Sequence, residues 1–333
     1  MIILLILFSI FAPLFTPVDP NFQHDITVAK LLPPLSMKTI VKIESNEEVE
    51  PIDEFIRMRR NVKPALNDEY IYVVDEYTIE NGISLIQNGS RTTITQSYLE
   101  DNKMGLEINQ ILFLLGTDEY GRDIFSRIIY GTRLSLLIGF FSVVISFVIG
   151  ISLGFISGFS GGIADTVLNR IAEMFMAFPM IFLIILIVAF FGSSLTVIII
   201  VLGFSGWMDL FKIIRGEVLS LKSKDFIVTA KMLGQSKYKI LYREMFPLML
   251  SPIIVHLVLQ YSNVIIAESA LSYLGLGLGN QYASWGSMIE AGQYYLSQAW
   301  WMSFSPCLFL FITLVSLNHL GKKMEGLLDP RLS

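Results

Sequence analysis

The sequence is poor in the residues that most often build enzyme and metal sites. Its 333 residues include one cysteine, Cys307, and three scattered histidines, His24, His256 and His319. A single cysteine excludes a disulfide framework and a cysteine-based metal site. The sequence contains neither a phosphate-binding loop of the form G-x-x-x-x-G-K-[ST] nor an H-E-x-x-H zinc motif. We therefore predict that the chain is not an enzyme and binds no metal.

Charged residues are also scarce. They make up 16% of the chain, against about 25% in soluble domains, and 53% of the residues are hydrophobic. No charged residue occurs between Arg133 and Asp165 or between Glu173 and Asp209. These runs are long enough to cross a membrane. The composition therefore predicts an all-α protein that crosses the membrane several times.

The apolar runs predict six membrane helices. Residues 1–16 form the first, with a cleaved signal peptide as the disfavoured alternative because no Lys or Arg precedes the run. Gly192, Ser193 and Ser194 separate two later helices, and Pro252 lies within another. The remaining five predicted spans lie near 134–158, 174–191, 195–213, 248–268 and 300–320.

Residues 17–115 have a different composition from the rest. They carry 16 Asp or Glu and 9 Lys or Arg, a net charge of −7. Strand-forming residues cluster at 71–79 and 84–96, and Asn88-Gly89 in the second cluster is typical of a type I′ hairpin turn. We predict a small β-containing domain inserted between membrane helices 1 and 2.

The stretch from Asp225 to Pro247 is the main basic segment among the apolar runs. Residues 212–247 contain eight Lys or Arg and three Asp or Glu. Asp225 is predicted to cap a short helix that Gly234 ends, and Ser236 to cap a second helix running to Pro247. Phe226, Ala230 and Leu233 are predicted to share one face. The two helices either fit a groove on a partner or rest on the membrane surface.

The positive-inside rule predicts the orientation, because it places the basic residues 212–247 in the cytoplasm. Counting spans then places residues 17–115 outside the cytoplasm and the tail, residues 321–333, inside. Residues 116–320 would form the membrane domain, with five helices and a cytoplasmic loop at 215–247. The predicted location is the cytoplasmic (inner) membrane of a bacterium.

Four segments resemble one family. They are GTDEYGRDIFSRIIYGTRLSL (116–136), DFIVTAKMLGQSKYKILYREMFPLMLSPIIV (225–255), ESALSYLGLGL (268–278) and LLDPRL (327–332). In this order they are similar to the C-type permease subunits of dipeptide, oligopeptide and nickel ABC importers. The similarity covers about residues 1–35 and 111–333, so it leaves the insert at 36–110 unexplained.

The resemblance implies a type I ABC importer permease fold and a set of partners. These are a second permease subunit, two ATPase subunits that carry ATP and Mg, an extracytoplasmic substrate-binding protein and membrane lipid, with no nucleic acid. The implied ATPase-coupling residues are Asp225, Phe226, Thr229, Ala230, Leu233, Gly234 and Pro247. The chain departs from the family pattern at Val228 and Thr229, and Glu244 and Phe246 stand at its Ile and Leu positions.

Intramembrane carboxylates usually face a cavity or a partner group. We therefore expect Glu268, with Asn263 and Ser272, either to line the transport path or to hold a gate. We predict a permease subunit of an ABC importer that forms the translocation path for peptides with a second permease subunit. The alternatives are an importer of nickel or another small solute, and a different class of protein. The last comprises a secondary transporter or channel and a membrane-anchored receptor.

Overall fold

In the computed structural model of the protein, the structure describes residues 12, 16, 20–23, 26–45, 70–79, 82–97, 104–279 and 282–328. The chain forms two compact units. We call Met1–Ile2, Leu134–Gly279 and Leu310–Ser333 the helical unit, and Ile3–Arg133 with Asn280–Phe309 the mixed unit. Each unit has its own apolar clusters.

The described elements run in the following order. A short helix and six strands come first: α1 (Ile26–Ala29), β1 (Ser36–Ser45), β2 (Tyr70–Val74), β3 (Glu76–Ile79), β4 (Gly82–Gln87), β5 (Ser90–Thr95) and β6 (Met104–Phe113). Long helices follow: α2 (Ile124–Ser160), α3 (Gly162–Ala177), α4 (Met180–Phe191), α5 (Leu195–Ser205) and α6 (Trp207–Lys222). The rest are α7 (Asp225–Met232), α8 (Lys237–Lys239), a π-helical segment (Ile240–Met245), α9 (Phe246–Tyr273), α10 (Trp285–Gln293) and α11 (Trp301–Leu328).

Four helical stretches of the described chain are long and apolar enough to cross a membrane. They are Ile124–Ser160, Leu195–Lys222, Lys237–Tyr273 and Trp301–Leu327. A fifth candidate is the pair α3 and α4, whose axes bend by 84°. The predicted first helix falls almost entirely outside the described residues, so the count of six stays a prediction.

The span predicted near 174–191 is interrupted by a bend in the structure. Helix α3 begins at Gly162, and the chain bends between Ala177 and Met180, where Pro179 has extended backbone angles. Proline lacks an amide hydrogen, and it restricts the residue before it, so the helix stops there. The α4 helix has 12 residues, about 18 Å, which is too short to cross a membrane alone.

The next predicted boundary is confirmed. Helix α4 ends at Phe191, and Gly192 follows with φ 82°. The Ser194 side chain then accepts a hydrogen bond from the Val197 amide at 3.3 Å and caps α5. The other spans are longer than predicted, because the helices continue beyond their apolar cores into polar residues at their ends.

Glycines let α2 and α6 pack closely in the helical unit. Gly150, Gly154 and Gly158 lie one turn apart on α2 and face α6, against Leu210, Ile214 and Val218 respectively. A Cβ at Gly154 would lie 2.6 Å from the Ile214 Cβ. Small residues at this spacing are typical of close helix pairs in membranes, where lipid already solvates apolar side chains. The four-residue spacing of these glycines is visible in the sequence itself.

The six strands belong to the mixed unit and form two antiparallel sheets. Their orders are β2-β1-β6 and β3-β4-β5. The turn between β4 and β5 is Asn88-Gly89, with φ angles of 47° and 80°, as a type I′ turn requires. Asp75 accepts hydrogen bonds from the Lys38 Nζ at 2.6 Å and the Asn88 amide at 2.8 Å, and these bonds lower the pKa of its carboxyl group.

Candidate functional site

The basic loop, Asp225–Pro247, begins with a short helix that ends in a defined cap. Gly234 has φ 75°, the left-handed conformation that the sequence predicts. The Gln235 amide bonds to the Ala230 carbonyl at 3.1 Å and the Gly234 amide to the Lys231 carbonyl at 3.0 Å. These two bonds define a Schellman cap. The predicted cap at the other end is wrong: Lys224 occupies that position, and Asp225 is already the first helical residue.

The second half of the basic loop continues directly into a membrane helix. Ser236 caps it as predicted, accepting a bond from the Lys239 amide at 3.4 Å. The sequence predicts a helix that ends at Pro247, but the helix continues through the proline and runs from Lys237 to Tyr273. A π-helical segment, Ile240–Met245, precedes the proline. A wider π-type turn accommodates the missing amide hydrogen and the proline ring without breaking the helix.

The inner face of the basic loop packs against other helices of the helical unit, to which the loop belongs. Ile227 and Ala230 of α7 and Ile240 and Met245 of the π-helical segment are buried. They form one apolar cluster with α6 and α9; its members from those helices are Leu210, Ile214, Val218, Met249 and Ile253. Ala230 therefore contacts this chain's own core and does not share an exposed face with Phe226 and Leu233. The α7 helix has eight residues, and its buried face consists of Ile227 and Ala230.

The outer face of the basic loop exposes large apolar side chains. Their exposed fractions are 82% for Met232, 74% for Leu233, 79% for Tyr238, 73% for Tyr242 and 45% for Phe226. Thr229 is also exposed, and its hydroxyl donates to the Asp225 carbonyl at 2.8 Å. Lysines 224, 231, 237 and 239 are exposed between these side chains. This surface is apolar and basic at once.

An ion pair that the sequence analysis missed braces the helix leading into the basic loop. Arg215 of α6 binds Asp165 of α3 through two bonds, Nε to Oδ1 at 2.5 Å and Nη2 to Oδ2 at 2.8 Å. Ser157 of α2 donates to the same carboxylate. Lys222, at the end of α6, donates to the Phe159 carbonyl at 2.8 Å. No local pattern predicts this pair, because its partners are 50 residues apart in the chain.

The candidate path residues are only partly brought together. Glu268 and Ser272 are buried near the end of α9, and the Ser272 hydroxyl donates to the Glu268 carboxylate at 2.9 Å. Gly277 packs so closely on Ser272 that a Cβ there would collide with it. Asn263 is exposed on a different face of α9. The described residues contain no group of three or more His, Cys, Asp and Glu placed to hold a metal ion.

The segment Gly116–Arg127 of the mixed unit buries its charges. Arg122 donates to Asp118 at 2.6 Å, and Arg127 lies 3.7 Å from the same carboxylate. All three side chains are at most 7% exposed. Asp123 precedes α2, and burial raises the pKa of its carboxyl group, although bonds from Ser126 act in the opposite direction. The buried network fixes the start of α2.

The sequence matches one protein family over more than half its length. Residues 150–333 match the family described as binding-protein-dependent transport system inner membrane component. The chain therefore belongs to this family, whose members are transport subunits and not enzymes. The predicted membership of the ABC importer permeases is confirmed.

Named relatives narrow the comparison. The chain is 38% identical over 218 residues to the dipeptide transport system permease protein DppC of Bacillus subtilis, which covers 65% of this chain and 68% of the relative. It is 38% identical over 216 residues to the oligopeptide transport system permease protein OppC of Escherichia coli K12. This match covers 65% of this chain and 72% of the relative. The di/tripeptide permease DppC of Pseudomonas aeruginosa is 35% identical over 227 residues, covering 68% and 75%.

A solved structure shares the fold. An inward-facing structure of the MetNI methionine ABC transporter superposes with a TM-score of 0.52 at 17% identity, covering 61% of this chain and 96% of that chain. At this identity the likeness concerns the fold alone. It agrees with the type I importer fold that the resemblance implied.

Proposed function

We propose that the chain is a permease subunit of a peptide importer and forms the path for dipeptides or oligopeptides with a second permease subunit. The names of the relatives support peptides as the substrate class. The observation that carries the proposal is the basic loop, because it presents large apolar side chains while its inner face packs on two membrane helices.

The outer face of the basic loop docks in a groove on an ATPase subunit. Met232, Leu233 and Phe226 are the apolar anchors, and exposed lysines around them favour an acidic rim on the partner. Two ATPase subunits carry the ATP and Mg, since this chain has no phosphate-binding loop. An isolated surface of this kind would expose apolar area to water without compensation.

Motion of the ATPase subunits reaches the membrane helices through the inner face of the basic loop. Ile227 and Ala230 contact α6 and α9, so displacement of α7 moves both helices. The Schellman cap at Gly234 and the continuous helix beyond Lys237 make the connection stiff. The transporter is then a two-state element biased by nucleotide at one end and by substrate at the other.

Coupling is tested with Leu233→Asp in the complete transporter. We expect uptake of a labelled dipeptide or oligopeptide to fall about tenfold or more, because a carboxylate in the groove loses apolar contact. Leu327→Asp is the matched control, since Leu327 is 72% exposed and lies near the end of α11. Normal uptake by Leu233→Asp with normal retention of the ATPase subunits would reject the coupling role. Uptake of nickel but not of peptides would reject the substrate class alone.

The basic loop lies in the cytoplasm and the strands lie on the opposite side, where a substrate-binding protein delivers peptide. The charge asymmetry between residues 17–115 and 212–247 supports this orientation. Single cysteines at Asn88 and Ser236, in a Cys307→Ser background, are expected to react with an impermeant reagent from opposite sides. Reaction of both from the same side would contradict the orientation.

The Glu268–Ser272 pair holds a gate at the end of α9, and Asn263 takes no part in it. Burial of the carboxylate and its bond from Ser272, on which Gly277 packs, support a packing role over direct contact with a peptide ammonium group.

A further inference from the structure

One end of the sheet β2-β1-β6 exposes four large apolar side chains. Met37 of β1 lies directly opposite Leu112 of β6. Leu35 and Leu114 lie two residues further along the two segments, and the Leu35 amide bonds to the Phe113 carbonyl at 2.9 Å. The exposed fractions are 69% for Leu35, 61% for Met37, 44% for Leu112 and 43% for Leu114. We call these four residues the leucine–methionine patch.

The patch differs from the rest of the strand region in charge. Residues 31–37 and 108–117 contain no charged side chain, although residues 17–115 carry 25. Further along β1, Val41 is fully buried in a cluster with Ile83 and Leu85 of the second sheet. The same pair of strands is thus covered by protein at one end and exposes apolar side chains at the other. Exposed apolar patches flanked by polar surface mark interaction sites.

Hydrogen bonds tie the patch to the start of a membrane helix. The Leu32 amide donates to the Thr117 hydroxyl at 2.8 Å, and the Thr117 amide donates to the Leu32 carbonyl at 3.0 Å. The Thr117 carbonyl in turn accepts a bond from the indole of Trp301, the first residue of α11, at 3.3 Å. Gly116 packs here without room for a Cβ, which would lie 2.8 Å from the same indole nitrogen.

The start of α11 has the features of a membrane–water boundary. No charged residue occurs between Glu290 and Lys322. Tyr294 and Trp300 are exposed before the helix, and Phe304 packs edge-to-face against Trp300 with the ring centroids 5.6 Å apart. Exposed Trp and Tyr at the end of an apolar helix are typical of the interfacial belt.

From this placement we infer that the leucine–methionine patch dips into the lipid interface and rests the strand region on the bilayer surface. The patch contacts lipid at the boundary between the headgroups and the acyl chains. Strands rise about 3.3 Å per residue, so the patch extends about 7 Å from Leu114 to Leu112. Interfacial apolar groups bury about 5–10 Å into this boundary, which matches that extent. The inference goes beyond the proposed function and does not depend on the substrate.

The test measures contact with acyl chains in the full chain with Cys307→Ser, reconstituted in phosphatidylcholine–phosphatidylglycerol vesicles. A cysteine at Met37 or Leu112 carries an environment-sensitive fluorophore, and half of the samples contain brominated acyl chains. We expect bromine quenching at both positions to exceed that at Thr92, an exposed residue of β5, by about twofold or more. Phe304→Cys supplies the reference for full lipid contact.

Two outcomes would overturn the inference. One is quenching at positions 37 and 112 no greater than at Thr92 while position 304 is quenched. The other is shielding of the patch from water only after the second permease subunit or a binding protein is added. The patch would then be covered by a protein and not by lipid. Leu35→Cys and Leu114→Cys supply independent positions on the patch, so a poorly folded single variant does not decide the result.

Discussion

Two segments that carry the family resemblance differ in the side chains that they bury and expose. The Gly116–Arg127 segment buries Asp118, Arg122 and Arg127, whereas the basic loop exposes Met232, Leu233 and Tyr238. Buried charges are costly unless they are paired, and exposed apolar groups are costly unless they are covered. The first segment pairs Asp118 with Arg122 within the chain. The second leaves these apolar side chains exposed, and we propose that a partner subunit covers them.

The largest expected effect comes from breaking the buried network. Asp118 pairs with Arg122 and, at a longer distance, with Arg127. Arg122→Met removes the closer partner, and removal of one member of a buried pair costs about 3–5 kcal/mol. We expect a lower melting temperature and less folded protein in detergent, measured by thermal unfolding.

The matched control is Arg170→Met, which breaks the exposed Arg170–Glu173 pair. Exposed pairs contribute about 0–1 kcal/mol, so this variant should unfold close to the parent. Equal melting temperatures for the two variants would show that the buried network does not hold the mixed unit together.

The second effect separates the two faces of the basic loop. Ala230→Asp places a polar group in the cluster around Ile227 and Ile240 and should destabilise the subunit by about 2–3 kcal/mol. Leu233→Asp, which alters only the outer face, should leave the melting temperature unchanged while uptake falls. If both variants unfold alike, the distinction between the faces is wrong.

The smallest effect concerns backbone conformation. A Cβ added at Gly234 or at Gly216 would meet no atom within 4 Å, but only Gly234 has positive φ. Gly234→Ala should therefore cost about 1 kcal/mol, whereas Gly216→Ala, within α6, should stabilise by about 0.5–1 kcal/mol. Thermal unfolding checks the opposite signs. A stabilising Gly234→Ala would contradict the left-handed cap.

The sequence determined the features that depend on neighbouring residues. Apolar runs located four helices that are long enough to cross a membrane, Asn88-Gly89 and Gly234 located their turns, and four ordered segments identified the family. These signals are local, because a turn or a span is set by the backbone preferences and hydropathy of adjacent residues. The residues of the basic loop were identified in the same way, although the sequence assigned Ala230 to the exposed face.

Only the tertiary structure decided which side chains meet. It buried Ala230 in the same cluster as Ile227, paired Asp165 with Arg215, joined the basic loop to α9 through Pro247 and separated Asn263 from Glu268. Each outcome depends on helix rotation and on contacts between residues far apart in the chain. Those are fixed when whole helices pack together, since an eight-residue helix has too little apolar pattern of its own to determine its inner face.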